Sequence, residues 1–235
     1  MRRRDISSQH GGVAYVPTTT MQQDKARTSQ LQDMGEIAMK RMLDIYSGLG
    51  GASEAFRLAG WEVHRLENNV LLKHVPCTEI VDVLVWPFYD TPAGYYDFIW
   101  ASPPCTDFSD GFSSPKSIAK REKRQYDPDM TLVLKAKEII DFLKPEHYVI
   151  ENVRGSRPYI TKALQMPPRQ IVQSFYLWGK FPFIHVDADW RHSKYDNEPW
   201  STDPLRANYR AKIPLELSRA FHDALTCQTT LEDWS

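Results

Sequence analysis

Apolar residues fall into short runs separated by glycine or proline turns and by longer amphipathic stretches. Arg41-Met42-Leu43-Asp44-Ile45-Tyr46 reads as a first strand, and Ser47-Gly48-Leu49-Gly50-Gly51 as a glycine turn. Residues 52–59 predict a short helix, with Gly60 where a helix-ending glycine would stand. Further strands are expected over Glu62–Leu66, ending at Glu67, then over Thr78–Val85, Tyr96–Trp100, His147–Ile150 and Phe175–Trp178. Asp127-Pro128 predicts the cap and first turn of a helix running to about Leu143, with Leu132, Ala136, Ile139, Ile140 and Leu143 as its core stripe. Arg154–Pro158 turns into another helix, and Ile213-Pro214 opens a last one. Strands alternating with helices predict an α/β fold: a mostly parallel sheet with helices on both faces.

Composition narrows the class. The chain has 235 residues, 42% hydrophobic and 25% charged, as expected of a soluble globular protein of one domain. No apolar run reaches membrane-spanning length, and Met1-Arg2-Arg3-Arg4 is followed by no apolar segment that would make a secretory signal. Cys77, Cys105 and Cys227 are odd in number and widely spaced, which points to a reducing, cytoplasmic setting and away from a disulfide frame. With no C-x-x-C and no clustered His pair, no metal site is expected. Residues 1–38 are polar and aperiodic and read as a mobile tail, although Arg2, Arg3 and Arg4 leave a DNA-contacting arm open. Residues 39–235 form the single predicted domain. The formal net charge is −1, so binding to nucleic acid would need a local basic patch. Lys116–Arg124, which contains Lys120 and Arg121, is one candidate, and a solvated helix face is the other reading.

Candidate chemistry gathers at strand ends. Ala101-Ser102-Pro103-Pro104-Cys105-Thr106-Asp107-Phe108-Ser109 follows a buried strand, and its two prolines stop that strand and stiffen the loop carrying Cys105. In open α/β sheets ligands lie outside the carboxyl ends of the strands, where a thiol is placed as a nucleophile. The glycine turn after Tyr46 lets backbone approach a ligand. Glu67 stands roughly twenty residues on, where such units place an acid on ribose hydroxyls, although an ordinary surface acid fits as well. Glu151-Asn152-Val153 closes the fifth strand.

In this order and spacing the sequence resembles the cytosine-C5 DNA methyltransferase family, in particular its short bacteriophage-type members. Asp44 to Gly51 is similar to the cofactor motif, Ser102-Pro103-Pro104-Cys105 to the nucleophile loop, and Glu151-Asn152-Val153 to the Glu-Asn-Val motif. The resemblance runs from about Met42 to Phe183 and returns in the last helix. It implies a Rossmann-like class I S-adenosylmethionine-dependent methyltransferase fold. It also implies methyl transfer from S-adenosylmethionine to C5 of cytosine in DNA through a covalent bond between Cys105 and C6. By that resemblance Cys105 and Glu151 are catalytic, and Asn152 buttresses the cysteine loop. Asp44, Tyr46, Ser47, Gly48, Leu49, Gly50, Gly51, Glu67, Asp82 and Pro103 hold the cofactor. Pro104, Ser109, Asn152, Lys120 and Arg121 face the substrate, a base flipped out of the duplex. The partner expected is DNA, with no membrane and no metal, and the protein is taken as a monomer of the cytoplasm or nucleoid.

The sequence departs from the family pattern in three places. Where the family has Gln-x-Arg-x-Arg, this chain has Gln170 but Val172 and Ser174. Arg169, Arg154 and Arg157 are the candidates for the missing guanidinium, with Arg169 counted among the catalytic residues. The family's closing Gly-Asn-Ser-Val is replaced by Arg210-Ala211-Lys212-Ile213-Pro214. Only about residues 185–208 are available for target recognition, which predicts relaxed sequence specificity. A non-catalytic DNA- or partner-binding member and an RNA cytosine-C5 methyltransferase stand as the alternatives.

Overall fold

The first strand, β1 (Arg41–Ile45), is paired along both edges, with β2 (Glu62–Glu67) on one side and β4 (Phe98–Ala101) on the other, both parallel to it. The structure is a computed structural model and describes residues 39–187, 189–193 and 202–232. The predicted tail, residues 1–38, lies outside the described residues. β3 (Thr78–Ile80) and β5 (His147–Asn152) extend the parallel sheet outward, and β6 (Gln170–Val172) and β7 (Phe175–Lys180) complete it antiparallel. The order is β3-β2-β1-β4-β5-β7-β6. This is the strand order of the class I S-adenosylmethionine-dependent methyltransferases, as the resemblance implied.

Register explains why the sheet is apolar on both faces. Met42 stands opposite Val63 and Phe98, and these side chains join Trp100 and Val149 in one core layer with Phe56, Leu217 and Phe221. Ile45 stands opposite Leu66 and Ala101, and these pack on the other face with Ile99 and Ile150. Alternate residues therefore bury into different layers. Helices α1 (Glu54–Leu58) and α6 (Leu215–Glu232) cover the first face; α3 (Thr131–Leu143) and α4 (Arg157–Leu164) cover the second.

Several boundaries differ from the sequence reading. The third strand stops at Ile80, because the chain turns at once: Asp82 Oδ1 accepts the Leu84 amide at 3.0 Å. Helix α3 starts at Thr131, not at Asp127-Pro128. The preceding residues are instead tied to the cysteine loop, through Tyr126 Oη to the Asp107 carbonyl (2.9 Å) and the Asp129 amide to Asp107 Oδ2 (3.3 Å). Asp129 Oδ1 accepts the Thr131 amide at 2.8 Å, so the side chain that caps this turn is Asp129 and not the expected Asp127. Two elements went unpredicted, strand β6 and helix α5 (Arg206–Ala211). The basic stretch after the cysteine loop includes α2 (Pro115–Arg121), capped by Ser114 Oγ accepting the Ser117 amide.

The glycine turn is held by a buried guanidinium. Arg65, on β2, is 1% exposed. Its Nε donates to Ser53 Oγ (2.8 Å), Nη1 to the Pro76 carbonyl (2.8 Å), and Nη2 to the Gly50 carbonyl (3.1 Å) and Glu54 Oε2 (3.0 Å). Ser53 Oγ in turn donates to Asp44 Oδ2 at 2.6 Å. Gly50 has φ +69°, and a Cβ there would fall 2.5 Å from the Arg65 guanidinium carbon. At Gly51 a Cβ would come 2.2 Å from the Ile213 carbonyl oxygen. These two glycines thus admit other parts of the protein, where the sequence reading had them admit a ligand. Replacing Arg65 leaves several buried acceptors without their donor. Arg65→Met should therefore lower unfolding free energy by about 3–5 kcal/mol, measured by urea titration of tryptophan fluorescence; a loss below about 1 kcal/mol, the scale of an exposed pair, would count against this account.

Candidate active site

The carboxyl ends of β1, β2, β4 and β5 and the turn after β3 surround a cavity of about 380 Å³. It lies where β1 and β4 are neighbours while the chain has run outward from β1 to β3, the switch point at which such sheets bind ligands. Strand order alone sets the sequence of groups along the rim: Asp82, Glu67, the turn after Tyr46, Cys105, then Glu151.

One half of the wall comes from β1, β2 and the turns that follow them. Asp44, Tyr46, Ser47, Gly48 and Leu49 line it, whereas Gly50 and Gly51 do not. Tyr46 has φ +61°, and its hydroxyl donates to the Leu132 carbonyl at 2.9 Å. Burial pushes the Tyr46 phenol above its ordinary value, so it stays protonated. Glu67 accepts the Gly48 amide on Oε2 (2.8 Å) and the Asn68 and Asn69 amides on Oε1 (3.0 and 2.9 Å). The acid therefore fixes the glycine turn besides facing the cavity. Asp82 lines the far end.

Two buried atoms of this wall have no partner, Asp44 Oδ1 and Ser47 Oγ. Buried polar atoms are normally satisfied, so each suits a polar ligand in the cavity. With the carboxylates of Glu67 and Asp82 beside them, this wall fits a ligand rich in hydroxyl and amine donors. S-adenosylmethionine is such a ligand.

The other half holds the sulfur. Cys105 and Glu151 line the same cavity, together with Ser102, Pro103, Pro104 and Val153. Glu151 is 8% exposed, and its Oε2 accepts the Ser102 hydroxyl at 3.0 Å. Ser102 Oγ itself accepts the indole N–H of Trp100 at 2.7 Å. The carboxylate is thus aimed by a fixed hydroxyl at the first residue after β4, where the cysteine loop begins. Asn152 is 1% exposed and does not line the cavity. Its Nδ2 donates to the Pro103 carbonyl (2.9 Å), which ties the loop to β5; the sequence reading had Asn152 also among the substrate-facing residues, and it does not face this cavity. Gly155 completes the fastening, since a Cβ there would fall 1.9 Å from the Phe108 carbonyl oxygen. Lys116 Nζ bridges the Gly155 carbonyl and Asp110 Oδ1, each at 3.0 Å.

The remaining candidates lie elsewhere. Arg169 does not line the cavity; its guanidinium sits over the rings of Phe181 and Phe183, at 5.6 and 4.9 Å. Arg154 lines a second, adjoining cavity with Ser109, Gln173 and Ser174, and Val153 borders both. Lys120 and Arg121 line neither; they are exposed on α2, where Arg121 Nη1 donates to the Phe112 carbonyl at 2.7 Å. Sequence reasoning missed Arg210 and Lys212, which line the main cavity alongside Asn208 and Ile213. The signal was present, since they occupy the segment that departs from the family pattern. Leu132, read as core, is half-buried and lines the cavity. Of the expected recognition segment, residues 188 and 194–201 lie outside the described residues.

The family model for C-5 cytosine-specific DNA methylases matches residues 40–159. A Frog virus 3 (isolate Goorha) protein named "Probable DNA (cytosine-5)-methyltransferase" is 30% identical over 131 residues, 52% of this chain and 58% of that protein. DNA (cytosine-5)-methyltransferase 1 of Mus musculus is 29% identical over 143 residues, 51% of this chain and 8% of its own length. Among solved structures, a Spodoptera frugiperda DNMT2 shares 17% identity over 63% of this chain and 53% of that one, with a TM-score of 0.39. The chain spans little more than half of the viral relative and a small part of the mouse one. The chain belongs to the C-5 cytosine-specific DNA methylase family, and its fold is that of an S-adenosylmethionine-dependent methyltransferase.

Burial pushes the Asp44 carboxyl up to about 6 from an ordinary 3.8, against the lowering effects of Ser53 and Arg65. Between those two values the folded protein holds more protons than the unfolded chain, so this group's contribution to stability falls as pH rises through the window. The difference in unfolding free energy between the protein and Asp44→Asn should therefore slope between pH 4 and about 6 and flatten above it. Denaturant titrations across that range check this, and a flat difference would contradict it.

Proposed function

We propose that this protein methylates C5 of cytosine in DNA, with Cys105 as the nucleophile. The observation that carries the reading is that Cys105 and Glu151 share one cavity with the wall formed by Asp44, Ser47, Glu67 and Asp82. C5 of cytosine is a poor nucleophile until a bond forms at C6. The Cys105 thiolate adds at C6, and the electrons of the C5–C6 double bond become available at C5. Glu151 steadies N3 and the 4-amino group as that charge develops, held in direction by Ser102. S-adenosylmethionine, bound along the wall from Asp82 to Gly48, would supply the electrophilic methyl group that C5 attacks, leaving as S-adenosylhomocysteine. Loss of the C5 proton then allows the C6–sulfur bond to break and restores the ring and the thiolate. The target carbon is inaccessible inside a duplex, so the cytosine is flipped out.

Support comes from the family assignment and from the way Asn152, Gly155 and Lys116 fasten the cysteine loop to β5. Among the arginine candidates, Arg154 is favoured over Arg169, because it borders the cavity next to Cys105's. The segment between β7 and α5 is short, so few side chains are available for base-edge readout, and the reading includes relaxed sequence specificity.

DNA carrying 5-fluorocytosine cannot lose a proton from C5 and should trap the protein as a covalent adduct. The adduct should be absent with Cys105→Ala and form roughly 10²–10⁴-fold more slowly with Glu151→Gln. A folded, cofactor-binding protein that traps no DNA would instead be a binding member of the fold, and trapping on tRNA alone would move the substrate to RNA. Bisulfite sequencing of DNA from cells expressing the protein should show methylation at short, loosely defined contexts; methylation confined to one long site would refute relaxed specificity.

A further inference from the structure

The main cavity carries charge of both signs. Asp44, Glu67, Asp82 and Glu151 bring carboxyl groups to its wall, and Arg210 and Lys212 bring cations. The cations stand in the segment that departs from the family's Gly-Asn-Ser-Val, so the positive charge belongs to this sequence. Two of the acids are already engaged. Glu67 accepts three backbone amides, and Glu151 accepts the Ser102 hydroxyl. Asp44 keeps a buried oxygen, Oδ1, without a partner, and so does Ser47 with its hydroxyl.

Lys212 is placed by the glycine turn. It directly follows α5, and its amide donates to the Tyr209 carbonyl at 3.4 Å. A Cβ on Gly51 would fall 2.9 Å from Lys212 Cγ, so the bare glycine lets the lysine stem lie against the turn. Gly51 leads into Ala52, which lines the cavity, and into Ser53, which donates to Asp44 Oδ2 at 2.6 Å. The lysine stem and the Asp44 carboxyl therefore meet the same short segment, residues 51–53. Among the described residues the Lys212 ammonium has no hydrogen-bond or ion-pair partner.

The order of groups along the wall orients a ligand. In the reading above, the adenosine end of the cofactor lies toward Asp82 and Glu67, and its methyl group must face Cys105. The amino-acid end is left to the turn after β1, where the orphaned carboxylate oxygen and the lysine both stand. That end bears an ammonium and a carboxylate on one carbon, so it takes a partner of each sign, and charge-assisted hydrogen bonds are about twice as strong as neutral ones. We propose that Lys212 binds the cofactor's carboxylate, while Asp44 Oδ1 and Ser47 Oγ receive its ammonium group. This rests on the cofactor reading above and gives the altered closing segment a positioning task within it.

The carboxylate can be taken from the ligand just as the cation can be taken from the protein, so the test is a two-way comparison. The full chain is titrated calorimetrically with S-adenosylhomocysteine and with its decarboxylated analogue, which keeps the amine. Lys212→Gln should weaken S-adenosylhomocysteine by about tenfold or more. The same change should leave the analogue bound as well or better, because a cation is removed from beside the ammonium site. Lys212→Arg should recover most of the loss. Equal weakening of both ligands, or no change in either, overturns the assignment and leaves the cofactor reading intact. A carboxylate-dependent loss with Arg210→Gln but not with Lys212→Gln also refutes it. A fall in affinity for duplex DNA with both ligand affinities kept would put Lys212 on phosphate instead, again against the proposal. Should the unmodified protein bind no S-adenosylhomocysteine, the cofactor reading fails and the assignment with it. None of these measurements needs methyl transfer, so a failure of the 5-fluorocytosine trap is a separate result.

Discussion

A charge buried where β2 meets the glycine turn holds the ligand-facing end of the sheet together. Arg65 is enclosed, and its donors reach four partners, two of them carbonyls of the turns that end β1 and precede β3. A guanidinium taken out of water is stable only with its donors satisfied, so the turns must stay where the partners are. Ser53 extends the constraint to Asp44, and Arg57 completes it by gripping Glu54, whose carboxyl is held down to about 2 by Arg57 and Arg65. The floor of the cavity is thereby rigid before any ligand arrives.

A second set of contacts fixes the sulfur. The Pro-Pro-Cys loop leaves β4 and is fastened to the neighbouring strand's continuation at three points: Asn152 on Pro103, Gly155 against Phe108, and Lys116 on the Gly155 carbonyl. Asn152, Gly155, Phe108 and Lys116 do not line the main cavity. Their common effect is to hold Cys105 against the same opening as Glu151, which Ser102 orients from the strand that leads into the loop. A covalent mechanism needs this, because a bond-forming sulfur gains its advantage from placement.

The closing segment shows how a family frame tolerates change. Arg210 and Lys212 stand where the relatives' pattern has small residues, yet the stretch still folds over the turn, and the Ile213 carbonyl meets the bare Cα of Gly51. Asn69 Nδ2 donates to Asn208 Oδ1 at 3.4 Å, and both residues line the cavity. The helix that follows, α6, packs on α1, with Ser218 donating to the Ala52 carbonyl and accepting the Ala55 amide.

By itself the sequence determined the parallel α/β class, the first, second, fourth, fifth and last main strands, and the meeting of Cys105, Glu151, Glu67 and the turn after Tyr46 on one rim. Those followed because apolar runs, glycines and prolines act locally, and because strand ends in a parallel sheet point the same way. Only the tertiary structure decided the rest. Which glycines faced a ligand depended on Arg65 and Ile213, distant in sequence. The start of α3 depended on Asp107, and the failure of Arg169 to reach the cavity on Phe181 and Phe183. The cations that do line it, Arg210 and Lys212, come from a short helix and the residue just after it, with no periodic pattern to announce them. Each of these is a contact between segments far apart along the chain, and local propensity carries no information about such contacts.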